Sequence, residues 1–118
     1  MNNKRLGTAF EKRLCEWLSV RGWWVHFISP DRTGSQPFDV IAVKNGLALA
    51  IDCKTSAKPI FNISRLELNQ VHAFEKWLKS GNEMPLVAVE YEGHIFFVKY
   101  SDLKQNGKVD LRRLTYDD

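Results

Sequence analysis

The chain has 118 residues, 44% of them apolar and 26% charged, a length that suits one domain with its own core and a composition too apolar for a disordered segment. Lys and Arg outnumber Asp and Glu by 17 to 14, for a net charge of +3 and a pI near 9.0, a balance that permits a nucleic-acid partner without demanding one. No apolar run reaches the ~18 residues of a membrane span, the amino terminus has no signal-peptide core, and Cys15 and Cys53 lack the spacing of a zinc site or disulfide framework, so one cytoplasmic domain over residues 1–118 is expected.

Leu6, Phe10, Leu14, Trp17 and Leu18 recur at helical spacing with Gly22 behind them as a stop, which predicts an amphipathic helix over residues 4–21. "WWVHFIS" is rich in β-formers and predicts a strand, and "PDRTGSQP" interrupts it with two prolines and a glycine. "FDVIAV" and "LALAIDC" flank Lys44-Asn45-Gly46. Asn-Gly between apolar runs is the strongest short hairpin signal, so these are antiparallel neighbours. Beyond the polar "KTSAKP" and the short apolar "IFNI", Ser64 and Glu67 fit a capping box opening a second helix. Its buried stripe is Leu68, Val71, Phe74 and Leu78, and Ser80-Gly81 ends it. Residues 86–91 and 94–100 form a second hairpin around Glu92-Gly93, followed by a polar tail. The order α, β, β, β, α, β, β predicts an α/β or α+β fold with a mixed sheet, and Trp23, Trp24, Phe96 and Phe97 are assigned to its core, with a subunit interface as the alternative for one pair.

If Asn45 and Gly46 are the central residues of the turn, Lys44 faces Leu47, and continuing outward sets Asp39 opposite Asp52. Their Cβ atoms would stand about 5 Å apart on one face of the sheet. Lys54, two residues on, shares that face. Two opposed carboxylates with one ammonium leave negative charge uncompensated. A hard divalent cation, Mg²⁺ or Mn²⁺, would compensate it, because such ions take one or two carboxylates plus waters and phosphate oxygens. Ala48 and Ala50 on the same face have side chains small enough to admit a helix. The first helix is expected there, bringing Glu11 from the border of its apolar stripe to the aspartates. An isolated Asp-x-Lys in a strand is commonly a surface ion pair; the turn-fixed register makes Glu11, Asp39, Asp52 and Lys54 a candidate catalytic set.

These residues resemble the PD-(D/E)xK nuclease superfamily and, within it, the archaeal-type Holliday junction resolvases. The similarity runs from about Gly7 to Tyr100: through "GTAFEKRLCEWLSVRGW", an opening helix with its acid, the loop "SPDRTGSQPFD", and "AVKNGLALAIDCKTS", whose acid-x-Lys is the defining element. Phe38 stands where the motif's name has proline, and Asp52 where this subgroup more usually has glutamate. The resemblance implies a restriction-endonuclease-like fold, a central mixed sheet flanked by helices. It implies Glu11, Asp39, Asp52 and the backbone carbonyl of Cys53 as metal ligands, and Lys54 orienting the attacking water or stabilising charge on the phosphate. Gln70 matches a polar position near the site and is a candidate DNA contact. The implied activity is that of an Mg²⁺-dependent DNA endonuclease selective for branched DNA.

Phosphodiester hydrolysis needs an activated water and neutralisation of a crowded anion, which a metal can supply. Ser29, Arg32, Thr33 and Ser35 lie in the loop before Asp39, placed to contact neighbouring phosphates. His26, His72 and His94 have no metal-ligand spacing, and there is no GxGxxG, P-loop or GxSxG motif, so no nucleotide cofactor is expected. Two other readings stand beside the nuclease: a non-catalytic DNA-binding module on the same fold, and an assembly protein built on "PLVAVEYEGHIFFVKY". The same site chemistry also serves nucleases of repair, restriction and mobile-element processing. Two symmetric cuts in a four-way junction need two sites, so a homodimer is expected, with Leu66, Ala73 and Trp77 as an interface face and Trp77 either its anchor or packed under a neighbouring loop.

Overall fold

The computed structural model describes residues 3–29, 36–116 and 118, with side chains from Ala9 onward. Helix α1 (Asn3–Val20) leads into β1 (Trp24–Phe27), β2 (Val40–Lys44), β3 (Leu47–Thr55) and β4 (Ile60–Asn62). Then come α2 (Leu68–Lys79), β5 (Leu86–Tyr91), β6 (His94–Lys99), α3 (Tyr100–Asn106) and β7 (Lys108–Asp110), with single 3-10 turns at Ile63–Arg65 and Leu111–Arg113. Five strands form a mixed sheet in the order β1-β2-β3-β5-β6, in which β3 and β5 are parallel and the other neighbours antiparallel. Strands β4 and β7 pair separately. No helix among the described residues is long and apolar enough to cross a membrane.

Both hairpins turn where the sequence puts them. Asn45 and Gly46 have φ of 51° and 79°, and Glu92 and Gly93 repeat those values. Two successive left-handed residues match the right-handed twist of the strands they join. Lys44 faces Leu47, and the expected register holds as far as Val40 opposite Ile51.

Alternation along β3 then divides the core. Leu49, Ile51 and Cys53 turn to one side, against Phe10, Leu14 and Leu18 of α1. Ala50 turns to the other, where Phe74, Val71 and Leu78 of α2 pack with Phe38, Val87 and Val89. The helix over the Ala50, Asp52 and Lys54 face is therefore α2, not α1 as expected. Small alanines do admit a helix there, but the parallel β3 to β5 connection carries α2 across that face and leaves the opposite one to α1.

Several boundaries differ from the sequence reading. The chain makes a 3-10 turn after Asn62 and returns to extended backbone at Leu66, so α2 opens at Glu67 rather than Ser64. Leu68, expected in the buried stripe, is 71% exposed. The segment after residue 99 is no polar tail: Tyr100 and Leu103 of α3 are buried, and β7 pairs with β4. Trp24 is on the surface at 62% exposure, stacked on His26. Trp77 packs edge-on against Phe38 at 5.7 Å and donates its indole N–H to Glu83 O at 2.9 Å, while Leu66 is buried in the core. The proposed interface face of α2 is thus part of the protein's own packing.

Candidate active site

Asp39 stands where β2 gives way to the preceding loop, and its backbone departs from the ladder. Its carbonyl accepts Ile28 N–H at 2.8 Å on one side while its own N–H goes to Ile51 O at 3.1 Å on the other. A flat strand residue points both groups the same way. Asp39 and Val40 therefore both oppose Ile51, the two-against-one arrangement of a β-bulge, which re-aims a side chain and ends pairing. The expected direct pairing of Asp39 with Asp52 is replaced by this bulge. The Cys53 N–H, which a continuing ladder would offer to Phe38, instead donates to Asp39 Oδ2 at 2.7 Å. The Cys53 carbonyl, parallel to its amide in an extended strand, faces the same gap.

Asp52 is fully buried, yet only one of its carboxylate oxygens is hydrogen-bonded. Oδ1 accepts Gln70 Nε2 at 3.0 Å. Among the described residues Oδ2 has no hydrogen-bond partner, although Lys54 Nζ makes an ion contact with it at 3.4 Å. Burial, first of all, and then the charge of Asp39 push the Asp52 carboxyl well above the usual carboxylate range, while Lys54 opposes them. The two carboxyls are therefore neighbours despite the bulge. A buried acid with an unpartnered oxygen is costly, and such exceptions gather at functional sites.

Glu11 comes from α1, on the opposite face of the sheet, and still feels both Asp39 and Lys54. Its half-buried carboxyl is pushed up to about 7 by burial and by Asp39, against the pull of Lys54. Glu11 thus lies near Asp39 and Lys54, from the Ile51 face of the sheet that α1 covers and not over the Ala50 face as expected. Glu11 also lines a cavity of about 230 Å³ with Lys12, Cys15 and Phe27.

Among the described residues, no three His, Cys, Asp or Glu side chains are gathered closely enough to hold a metal ion as they stand. A cation of the Mg²⁺ type needs only one or two carboxylates and completes its shell with water. Carboxylate and carbonyl oxygens are the donors such hard ions take, and Asp52 Oδ2 is a buried oxygen lacking a hydrogen bond. The residues present fit a hard divalent ion.

The chain matches the family model described as archaeal Holliday junction resolvase (Hjc) over residues 2–114. It belongs to that family. A relative named crossover junction endodeoxyribonuclease Hjc, from Methanocaldococcus jannaschii, is 31% identical over 104 residues, covering 88% of this chain and 73% of that protein. The solved structure of Archaeoglobus fulgidus Hjc, described as a Holliday junction resolvase from an archaeal hyperthermophile, superposes with a TM-score of 0.66 at 20% identity. It covers 86% of this chain and 85% of its own, so the resolvase fold, and with it the mixed α+β sheet expected of the PD-(D/E)xK superfamily, is shared.

Within this resolvase framework the remaining candidates fall in different places. Ser29 is exposed at the end of the segment leaving β1. Arg32, Thr33 and Ser35 lie outside the described residues. Gln70 is at the site but buried, with Nε2 on Asp52 and Oε1 accepting Glu67 N–H at 2.9 Å. The sequence reading missed Asn69, whose Nδ2 donates to Gln36 O at 2.9 Å. It also missed Arg65, whose Nη2 donates to Thr55 O at 2.9 Å. The Glu67-x-x-Gln70 spacing is the one sequence signal that points to this turn.

Proposed function

We propose that this chain is an endodeoxyribonuclease that hydrolyses phosphodiester bonds in branched DNA, resolving four-way junctions with Mg²⁺ or Mn²⁺ held by Asp39, Asp52 and the Cys53 carbonyl, with Glu11 joining them only as the ion binds, since the three carboxylates are not gathered without it. The observation that carries this reading is the buried Asp52 Oδ2, without a hydrogen bond and opposed by Lys54, in a chain of the resolvase family. A bound divalent ion supplies an activated water and draws charge from the phosphate.

The protein's own groups do the rest. Asp39 has one oxygen fixed by the Cys53 amide and so presents a pre-set carboxylate to the site. Lys54, with its side chain 16% exposed, is close enough to solvent to meet a substrate. It holds the attacking water or donates to a phosphoryl oxygen as charge builds there. Glu11 closes the site from α1. Ser29, Arg32, Thr33 and Ser35, on the segment entering Asp39, hold flanking phosphates and fix the strand's register without reading its sequence. The unit is one nuclease domain acting in the cytoplasm as a homodimer, because two symmetric incisions need two such sites.

The test is a panel of four-way junction, flap, nicked and linear DNA incubated with and without Mg²⁺ or Mn²⁺. Metal-dependent cleavage that favours the junction is expected. Salt-sensitive binding with no cleavage of any form would establish a DNA-binding module instead.

A further inference from the structure

We infer that the turn opening α2 is a clamp on the two acid-bearing segments, and that Gln70 is a positioning residue for Asp52. This rests on the nuclease reading above. Residues 65–70 reach the site at three points. Arg65 Nη2 donates to Thr55 O at 2.9 Å, immediately after Lys54. Asn69 Nδ2 donates to Gln36 O at 2.9 Å, three residues ahead of Asp39. Gln70 Nε2 donates to Asp52 Oδ1 at 3.0 Å. One turn of chain thereby ties both β3 and the approach to β2.

The orientation of Gln70 is over-determined. Its Oε1 accepts Glu67 N–H at 2.9 Å, so reversing the amide would set an NH₂ against that N–H and a carbonyl oxygen against a carboxylate. Helix capping accounts for only half of this. Glutamate at the same position would cap the helix equally well, but an ionised glutamate has no proton to donate to Asp52. A cationic donor would hold Asp52 and also cancel the charge a metal ion needs. The neutral amide fixes Oδ1, leaves the charge in place, and leaves Oδ2 as the oxygen facing Lys54. Outer-shell partners of this kind typically set ligand orientation, and their loss costs about 10- to 100-fold in metal affinity or activity.

The test is calorimetric titration of Mn²⁺ into the metal-free full chain, with thermal melting alongside, for the wild type, Gln70→Met, Asn69→Ala and Phe74→Leu. Phe74, a core residue of the same helix, controls for general destabilisation. Gln70→Met is expected to weaken Mn²⁺ binding about tenfold or more. Asn69→Ala, on a half-buried residue and more certain to fold, is expected to weaken it less. Phe74→Leu is expected to lower the melting temperature with wild-type Mn²⁺ affinity. Wild-type affinity in both Gln70→Met and Asn69→Ala, or losses no larger than in Phe74→Leu, would overturn the clamp while leaving the nuclease reading intact. A wild type that binds no Mn²⁺ would overturn both.

Discussion

Asp39 Oδ2 accepts the Cys53 backbone N–H at 2.7 Å, at the point where pairing between β2 and β3 stops. One carboxylate thus ends a ladder and stands beside a second acid. Asp39→Asn keeps an oxygen for the Cys53 amide and removes the charge, so the two duties separate. The variant is expected to fold with an unchanged or higher melting temperature without metal, because repulsion toward Asp52 and Glu11 is relieved. Cleavage should fall at least ~10²-fold, about 2.7 kcal/mol of transition-state stabilisation. The rise in melting temperature that Mg²⁺ or Mn²⁺ gives the wild type by ligand linkage should shrink as well.

Lys54→Ala removes the ammonium that faces Asp52 Oδ2. Junction binding in Ca²⁺ is expected to persist, with single-turnover cleavage reduced about 10²- to 10³-fold, the usual loss for one donor aimed at developing charge. Gel-shift and cleavage assays on the same preparation check this.

The Glu11 carboxyl, ordinarily at 4.5, is pushed up to about 7. Between those values the folded chain holds a proton that the unfolded chain has released. Stability from this group is therefore full below about pH 4.5 and declines as pH rises to about 7. Urea melts of metal-free protein across that window should show Glu11→Gln losing less stability with rising pH than the wild type. As a proposed ligand Glu11 must be deprotonated to bind, so cleavage at limiting metal should rise through about pH 7 in the wild type, and Glu11→Gln should change this limb, leaving the part that belongs to the raised Asp52 carboxyl.

Trp77 packs on Phe38 and reaches Glu83 O, which makes it a stability residue. Trp77→Ala is expected to cost about 2–4 kcal/mol without altering the sedimentation coefficient of the folded protein. A dimer that dissociates on this change would return α2 to the interface.

What could be read from the sequence was local. Asn45-Gly46 declares its turn through two residues that tolerate positive φ and Glu92-Gly93 through its glycine alone, and the first of them carries the register to Val40 opposite Ile51. Asp39, one step further, could not be read this way, because its bulge depends on Ile28, just past β1, taking its carbonyl while Ile51 of β3 takes its amide. The helix covering Asp52 was misassigned because alternation tells which residues share a face but not which helix takes it. Ser64-x-x-Glu67 and Glu67-x-x-Gln70 are overlapping capping patterns, and only packing chose the second. Strands β4 and β7 have three residues each, too short for periodicity to register.

Asp39, Asp52 and Lys54 are proposed to form a working nuclease centre specific for branched DNA. Mapping the incisions that wild type and Asp52→Asn make in a four-way junction, with Mg²⁺ and without any divalent ion, tests it most directly. Paired cuts placed symmetrically across the junction, present only with wild type and metal, are expected. Identical cutting by Asp52→Asn, or no metal-dependent cut in any DNA by the wild type, would contradict it.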